Sequence, residues 1–285
     1  MKDPFTSRSR QKTIRKIMLY AINCIMGLLF LLPLLWMVAS AFKPEQRIFQ
    51  DISSWKAFIP IDFTLNNFKQ ALSRVPMFKY IWNSILYIVM TLMLSLTINS
   101  LCGYALAKFK FRGKTFVLSL IISLMVFPFD SIVIPLFIVI NKMHLLNTRF
   151  ALILPFTAKC FSIFLFRQFF LDIPNELLEA AEIDGTGRLL TFFKIVLPIS
   201  GPVFATVFIL DFVNHWSDFM WPLIVLIDDR YRTVQLGIQA FFTDPPVFYG
   251  PVMAALTLAV LPMVVLFLFF QKYYVQGIST TGLKG

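Results

Sequence analysis

The sequence predicts an all-α polytopic membrane protein with six transmembrane helices and both termini on the cytoplasmic side. Three observations predict it. Of the 285 residues, 58% are hydrophobic and only 14% are charged, against about 25% charged in soluble domains, and the mean hydropathy is +0.75. Six apolar runs reach the length of about 20 residues that a helix needs to cross about 30 Å of hydrocarbon. Lys and Arg are also unevenly shared among the segments between those runs, as the bias of basic residues toward the cytoplasm requires.

The first run, Ile17 to Ala41, carries no charge and follows a basic stretch with Lys2, Arg8, Arg10, Lys12, Arg15 and Lys16. A secretory signal opens the same way, and Ala39-Ser40-Ala41 would supply a cleavage site. The apolar core of a signal is about 7 to 15 residues, however, so this run is expected to stay as the first span. The others are Tyr80 to Ala107, Phe116 to Ile140, Phe150 to Phe170, Ile199 to Ile227 and Gly250 to Phe270. An even number puts both ends on one side. With the N-terminus inside, the inner segments hold 15 Lys and Arg and the outer loops ten, six of those in the long loop Phe42 to Lys79.

This divides the chain into a basic cytoplasmic N-terminus (1–16), a six-span domain (17–272) with a cytoplasmic loop at 172–198, and a cytoplasmic tail (273–285). Pro33, Pro128, Pro135, Pro155, Pro222 and Pro262 fall in or near spans, where a proline frees a carbonyl that neighbouring groups must satisfy, so several kinked helices are expected. The net charge of +11 accompanies this hydrophobicity, so the counter-charge expected is a membrane surface, with no nucleic-acid partner. Cys24, Cys102 and Cys160 lie in apolar stretches without paired spacing and suggest neither disulfide nor metal.

The loop after the fourth run reads Asp172-Ile-Pro-Asn-Glu-Leu-Leu-Glu-Ala-Ala-Glu-Ile-Asp-Gly-Thr-Gly. Its physics is that of a short surface helix. Pro174 suits a first-turn position, and the helix dipole favours acids near the start. Glu176, Glu179 and Glu182 make an acidic ridge, Leu177, Leu178 and Ala181 an apolar side, and Gly185 and Gly187 end the helix. A second amphipathic piece, Leu189 to Val196, follows, and Pro198 opens the next span. From spacing alone, these residues suit either a protein-docking knob or a connecting loop lying on the membrane interface.

Five ionisable residues fall within spans: Asp130, Lys159, Asp211, His215 and Asp218. Each is costly in hydrocarbon and is a functional candidate for that reason. Asp211, His215 and Asp218 recur at i, i+4 and i+7 and are expected on one helix face, with Asn214 beside them. They could bind a polar solute together with Trp216 or Trp221. They could equally form an interhelical network with Lys159 or Asp130, or a proton relay. No phosphate-binding loop is present, since the first glycine needed before Gly113-Lys114-Thr115 is Lys108. No metalloprotease, nucleophile-elbow or paired-cysteine pattern occurs, so no enzyme is expected.

Glu179-Ala180-Ala181, three residues, Gly185, nine residues, and Ile195-x-Leu197-Pro198 resemble the cytoplasmic EAA loop of binding-protein-dependent ABC importer permeases at every fixed position. Trp216-Ser217-Asp218-Phe219-Met220-Trp221-Pro222-Leu223 resembles the fifth-span pattern of the carbohydrate, maltose-type branch, with Ser217 where that branch usually has Asn. Asn141-Lys142, Leu145-Leu146-Asn147-Thr148 and the terminal Gly282-Leu283-Lys284-Gly285 are similar to the same branch. The likeness spans about residues 15 to 285.

It implies a MetI-like type I importer permease in the bacterial inner membrane, without a cofactor of its own, ATP and Mg being held by a partner ATPase. The implied partners are a second permease, two ATPase subunits, an extracellular solute-binding protein, membrane lipid and a sugar or oligosaccharide. Glu179, Ala180, Ala181, Asp184, Gly185, Ile195, Leu197 and Pro198 would couple to the ATPase. Glu179 would be the polar anchor, the alanines would allow close packing, and Gly185 would make the turn. Gly282, Leu283, Lys284 and Gly285 would reach the ATPase interface, although the polar, Gly-rich tail from Val275 to Gly285 is by itself expected to be a flexible terminus. An ion-coupled secondary transporter or channel, or the same class with a non-sugar solute, stands as the alternative.

Overall fold

The computed structural model describes residues 4–243 and 245–281, with side chains for 13–243 and 245–271. The described residues are helical and contain no strand. Three helices are continuous and apolar enough to span a membrane: residues Thr13–Ala41 of α1 (Pro4–Ala41), α4 (Met77–Lys108), and Tyr249–Gln271 of the last helix. Three more candidates are bent pairs, which brings the described spans to six if each pair counts once.

Three of the six expected spans are sharply bent. The third splits into α5 (Lys114–Leu124) and α6 (Phe129–Lys142), bent by 105°. Pro128 stands at the break: it lacks an N–H and disfavours helical geometry in the residue before it. The fourth splits into α7 (Arg149–Ile153), prolonged by a 3₁₀ turn over Leu154–Phe156, and α8 (Cys160–Leu171), bent by 43°. The fifth does not open at Pro198. That proline belongs to the preceding piece, and α12 (Gly201–Ser217) starts after an 81° bend, with Pro202 in its first turn. Pro33, Pro135 and Pro262, by contrast, sit inside helices without breaking them.

The chain divides into two compact units. Residues 1–75 and 241–258 form the first, which includes α2 (Glu45–Gln50) and α3 (Asn66–Arg74). It is organised by capping. Asn67 Nδ2 donates to Ala41 O at 3.0 Å and Lys43 O at 2.6 Å, closing the end of α1. The buried Lys43 ammonium donates to Asp51 at 3.4 Å and to the carbonyls of Lys56 and Ala57. Such a buried cation is tolerable because it is paired and hydrogen-bonded.

Residues 76–240 and 259–285 form the second unit. Its centre is α4 packed on α8 and α12. The approach of α4 to α8 is so close that a Cβ on Gly103 would lie 2.6 Å from Phe166 Cβ and 2.9 Å from the Arg167 backbone nitrogen. Tyr104, Phe166, Phe170, Phe192, Val196 and Val207 make the apolar core at one end of this bundle. The remaining helices are α9 (Asn175–Ile183), α10 (Arg188–Thr191), α11 (Leu197–Ile199), α13 (Met220–Val225), α14 (Val234–Thr243) and α15 (Tyr249–Thr281). The last continues helically through 275–281, where flexibility was expected, and Gly282 to Gly285 lie outside the described residues.

Candidate functional site

The loop at 172–198 folds as two short helical pieces. α9 begins just after Pro174, which fits a helix start, and Glu176 falls in its first turn. Its end is a complete Schellman closure: Gly185 N–H donates to Glu182 O at 3.0 Å and Thr186 N–H to Ala181 O at 2.8 Å. That geometry needs a residue in the left-handed region at Gly185, where φ is +75°, and glycine adopts it without steric cost. Gly187 has the extended backbone of an N-cap and opens α10. The second piece runs from Arg188 through a π turn at Phe192–Val196 into α11. Pro198 cannot donate to the carbonyl one turn back, and the wider turn before it accommodates that loss.

The knob is held at several points. Lys108, ending α4, donates to Ile173 O and, at 2.9 Å, to Asn175 Oδ1. Arg188 lies 5.0 Å over the Phe109 ring and 3.6 Å from Glu182. Ala181 is buried and Leu178 packs on the aromatic core, while Leu177 stays exposed. Ala180, Glu179, Asp184 and Pro198 are exposed, and Ile195 and Leu197 are half-buried. The two alanines are therefore not equivalent: Ala181 packs inward, and Ala180 alone faces out. Ile183, at 86% exposure, is a large apolar side chain beside the acidic ridge.

The second cluster is in mid-bundle. Lys159, the residue before α8, donates from Nζ to Asp211 Oδ1 at 3.0 Å. Ser95 Oγ donates to Asp211 Oδ2 at 3.3 Å, Asn99 Nδ2 donates to Ser95 Oγ at 2.7 Å, and Lys159 N–H donates to Asn99 Oδ1 at 3.0 Å. These contacts form a closed ring across α4, α12 and the break before α8. Of the sequence candidates, Asp211 and His215 are buried on the same side of α12. Asn214 is exposed, and Asp130, in the first turn of α6, is exposed and outside the ring.

Asp218 is not on the helix face predicted for it. The helix ends at Ser217, Asp218 has extended geometry, and its carboxylate accepts the Trp221 N–H at 3.2 Å, starting α13. The helix can stop there because Tyr87 Oη donates to His215 O and Gln235 Nε2 to Trp216 O, satisfying terminal carbonyls. Trp216 is buried and stacks on Phe212 with an 8° interplanar angle. Trp221 is fully buried against Phe129 and Phe156, and its Nε1 donates to Ala151 O at 2.9 Å. Asn147, with φ +58°, accepts from the N–H groups of Ile227 and Asp228 through its side chain.

Sequence reasoning missed Ser95, Asn99 and Tyr87. The i, i+4 spacing of Ser95 and Asn99 in an apolar helix was a usable signal. Tyr87 had none, because its partner is a backbone carbonyl remote in sequence.

A bundle of bent apolar helices, broken beside a buried ion pair and carrying a capped acidic helix at one end, has the architecture of a membrane permease. Residues 99–280 match the family of binding-protein-dependent transport system inner membrane components, and the chain belongs to that family. It is 35% identical over 255 residues to the arabinooligosaccharides transport system permease protein AraQ of Halalkalibacterium halodurans, covering 89% of this chain and 91% of AraQ. It is 31% identical over 281 residues to the trehalose/maltose transport system permease protein MalG of Thermococcus litoralis, covering 97% and 99%.

The fold is similar to a chain in the crystal structure of a bacterial ABC transporter involved in the import of the acidic polysaccharide alginate. The TM-score is 0.82 at 23% identity, over 93% of this chain and 98% of that one. The protein is thus a non-catalytic membrane subunit, and ATP hydrolysis belongs to a separate chain of such systems. Permeases of this family work with a partner permease, an ATPase and a solute-binding protein.

Proposed function

We propose that this permease carries a sugar or oligosaccharide and forms half of a translocation path with one second, homologous permease. Two ATPase subunits holding ATP and Mg drive it, and an extracellular solute-binding protein delivers the solute. Support for a sugar comes from the relatives, whose names give arabinooligosaccharides and trehalose or maltose as their solutes. The basic N-terminus and the cluster Lys108, Lys110, Arg112 and Lys114 support a cytoplasmic location for both termini and the 172–198 loop. The exposed apolar surface of α1 meets lipid.

One observation carries the coupling reading: α9 is closed by the Gly185 turn and tied to α4 and the aromatic core, so its outward face moves with the bundle. Glu179, Ala180, Asp184, Gly185 and the exposed Pro198 then form the docking surface for the ATPase, while Ala181, Ile195 and Leu197 shape it from within. Asp130, Asp211, Asn214, His215 and Asp218 border the path, with Trp216 and Trp221 as its packed wall. Gly282, Leu283, Lys284 and Gly285, outside the described residues, are assigned to the ATPase interface on the resemblance of the terminal motif alone.

Gly185→Asp tests the coupling. Aspartate tolerates the left-handed region better than most residues, so insertion and folding are expected to persist. Receptor-stimulated ATP hydrolysis in reconstituted vesicles should fall to the basal rate. Normal stimulation by the variant would refute the docking role of this turn.

A further inference from the structure

The ion pair in mid-bundle is asymmetric. Both carboxylate oxygens of Asp211 are engaged, by Lys159 and Ser95, and its side chain is 5% exposed. The Lys159 side chain is 21% exposed. An ammonium has three donors, and Nζ meets one side-chain acceptor, Asp211, with the Phe156 ring at 5.9 Å. No second hydrogen-bond acceptor for it exists among the described residues.

A partly exposed ammonium within an apolar span must meet water or another polar surface. It stands at the 43° break between α7 and α8, where the backbone leaves helical geometry, and irregular backbone at membrane depth is tolerated where it lines a cavity or is covered by protein. His215 Nε2, buried without a hydrogen-bond partner, belongs to a ring 5.2 Å from that of Phe156. A cation with spare donors, a flat half-buried ring and an unsatisfied imidazole nitrogen thus gather around one residue.

We infer that Lys159 is a solute-contacting, specificity-determining residue of the transport path, a role that rests on the sugar-permease reading. Its spare N–H groups donate to acceptor oxygens of the passing sugar, hydroxyl or carboxylate. Asp211 serves as the fixed counter-charge, and Asn99 and Ser95 hold the pair in place as positioning residues. The pair is neutral as a whole, so a neutral sugar crosses without being trapped. A uronate carboxylate gains a charge-assisted hydrogen bond, which is about twice as strong as a neutral one.

The test uses the complete transporter with its receptor in proteoliposomes, supplied with a neutral oligosaccharide and a uronate-bearing one of equal length. Lys159→Met is expected to lower transport of the uronate at least about ten-fold, the scale of one charge-assisted hydrogen bond, and transport of the neutral sugar less. Receptor-stimulated ATP hydrolysis should persist, and Lys159→Arg should restore transport. The double variant Lys159→Met/Asp211→Leu removes the pair without leaving a buried charge. If Lys159 contacts solute, the double variant stays defective.

If the double variant transports both sugars at the wild-type rate, the pair is structural and the inference is overturned. The same follows if Lys159→Met/Asp211→Leu, which leaves no unpaired charge, reduces both sugars and ATP hydrolysis in parallel with its melting temperature. A receptor that binds no sugar or oligosaccharide across a panel of neutral and uronate-bearing ones would overturn the sugar reading itself, a result distinct from the loss of a role for Lys159 alone.

Discussion

Lys159 Nζ and Asp211 Oδ1 lie 3.0 Å apart, joining the start of one helix to the middle of another inside apolar spans. Removing one partner of such a pair is worse than removing both, because the survivor is left charged and unpaired. Asp211→Ala should therefore destabilise the protein by about 3–5 kcal/mol, while Lys159→Met/Asp211→Leu should regain most of that loss. Thermal unfolding of the purified protein in detergent measures both. An Asp211→Ala variant as stable as the parent would show that the pair does not hold these helices together.

Gly103 is required by contact distance. A Cβ there would meet Phe166 Cβ and the Arg167 backbone nitrogen, neither of which can rotate away. Alanine is the better helix former by about 1 kcal/mol, but overpacking costs about 1–3 kcal/mol, and with backbone as the obstacle the clash should win. Gly103→Ala should lower the melting temperature and Gly103→Leu should lower it further. A rise on Gly103→Ala would contradict the observed approach of α4 to α8.

Trp221 separates packing from solute contact. Trp221→Phe keeps most of the buried volume and loses the bond to Ala151 O, at a cost of about 1–2 kcal/mol. Trp221→Ala should cost about 3–5 kcal/mol. Solute uptake by Trp221→Phe, normalised to folded protein, should match the parent, since the indole is enclosed within the chain. Loss of uptake with unchanged melting would instead place this ring on the solute.

Asn147 combines a left-handed backbone with a side chain that accepts two N–H groups. Asn147→Asp keeps both features and should behave like the parent. Asn147→Ala loses both and should cost about 1–2 kcal/mol. Hydrogen exchange should then quicken at Ile227 and Asp228 in the alanine variant alone.

Much of this protein is local chemistry and is legible as such. The spans follow from runs of apolar residues, because hydrocarbon admits little else. The end of α9 follows from Gly185, because few residues besides glycine take that backbone angle. Asp218 shows where local reasoning stops. Periodicity placed it on a helix face, but that holds only while the helix continues. The helix ends at Ser217 because Tyr87 and Gln235, distant in sequence, take up its last carbonyls.

The same division runs through the candidate sites. Residue order alone is enough for the membrane class, the approximate spans and the position of the acidic helix α9. Tertiary packing was needed to show that Ala181 packs inward while Ala180 faces out, and at which positions three of the spans bend. It also decided that Lys159 pairs with Asp211 while Asp130 stands apart. The physical reason is range: hydropathy, capping and glycine geometry act within a few residues, whereas the partner of a buried charge is chosen by which helices pack together.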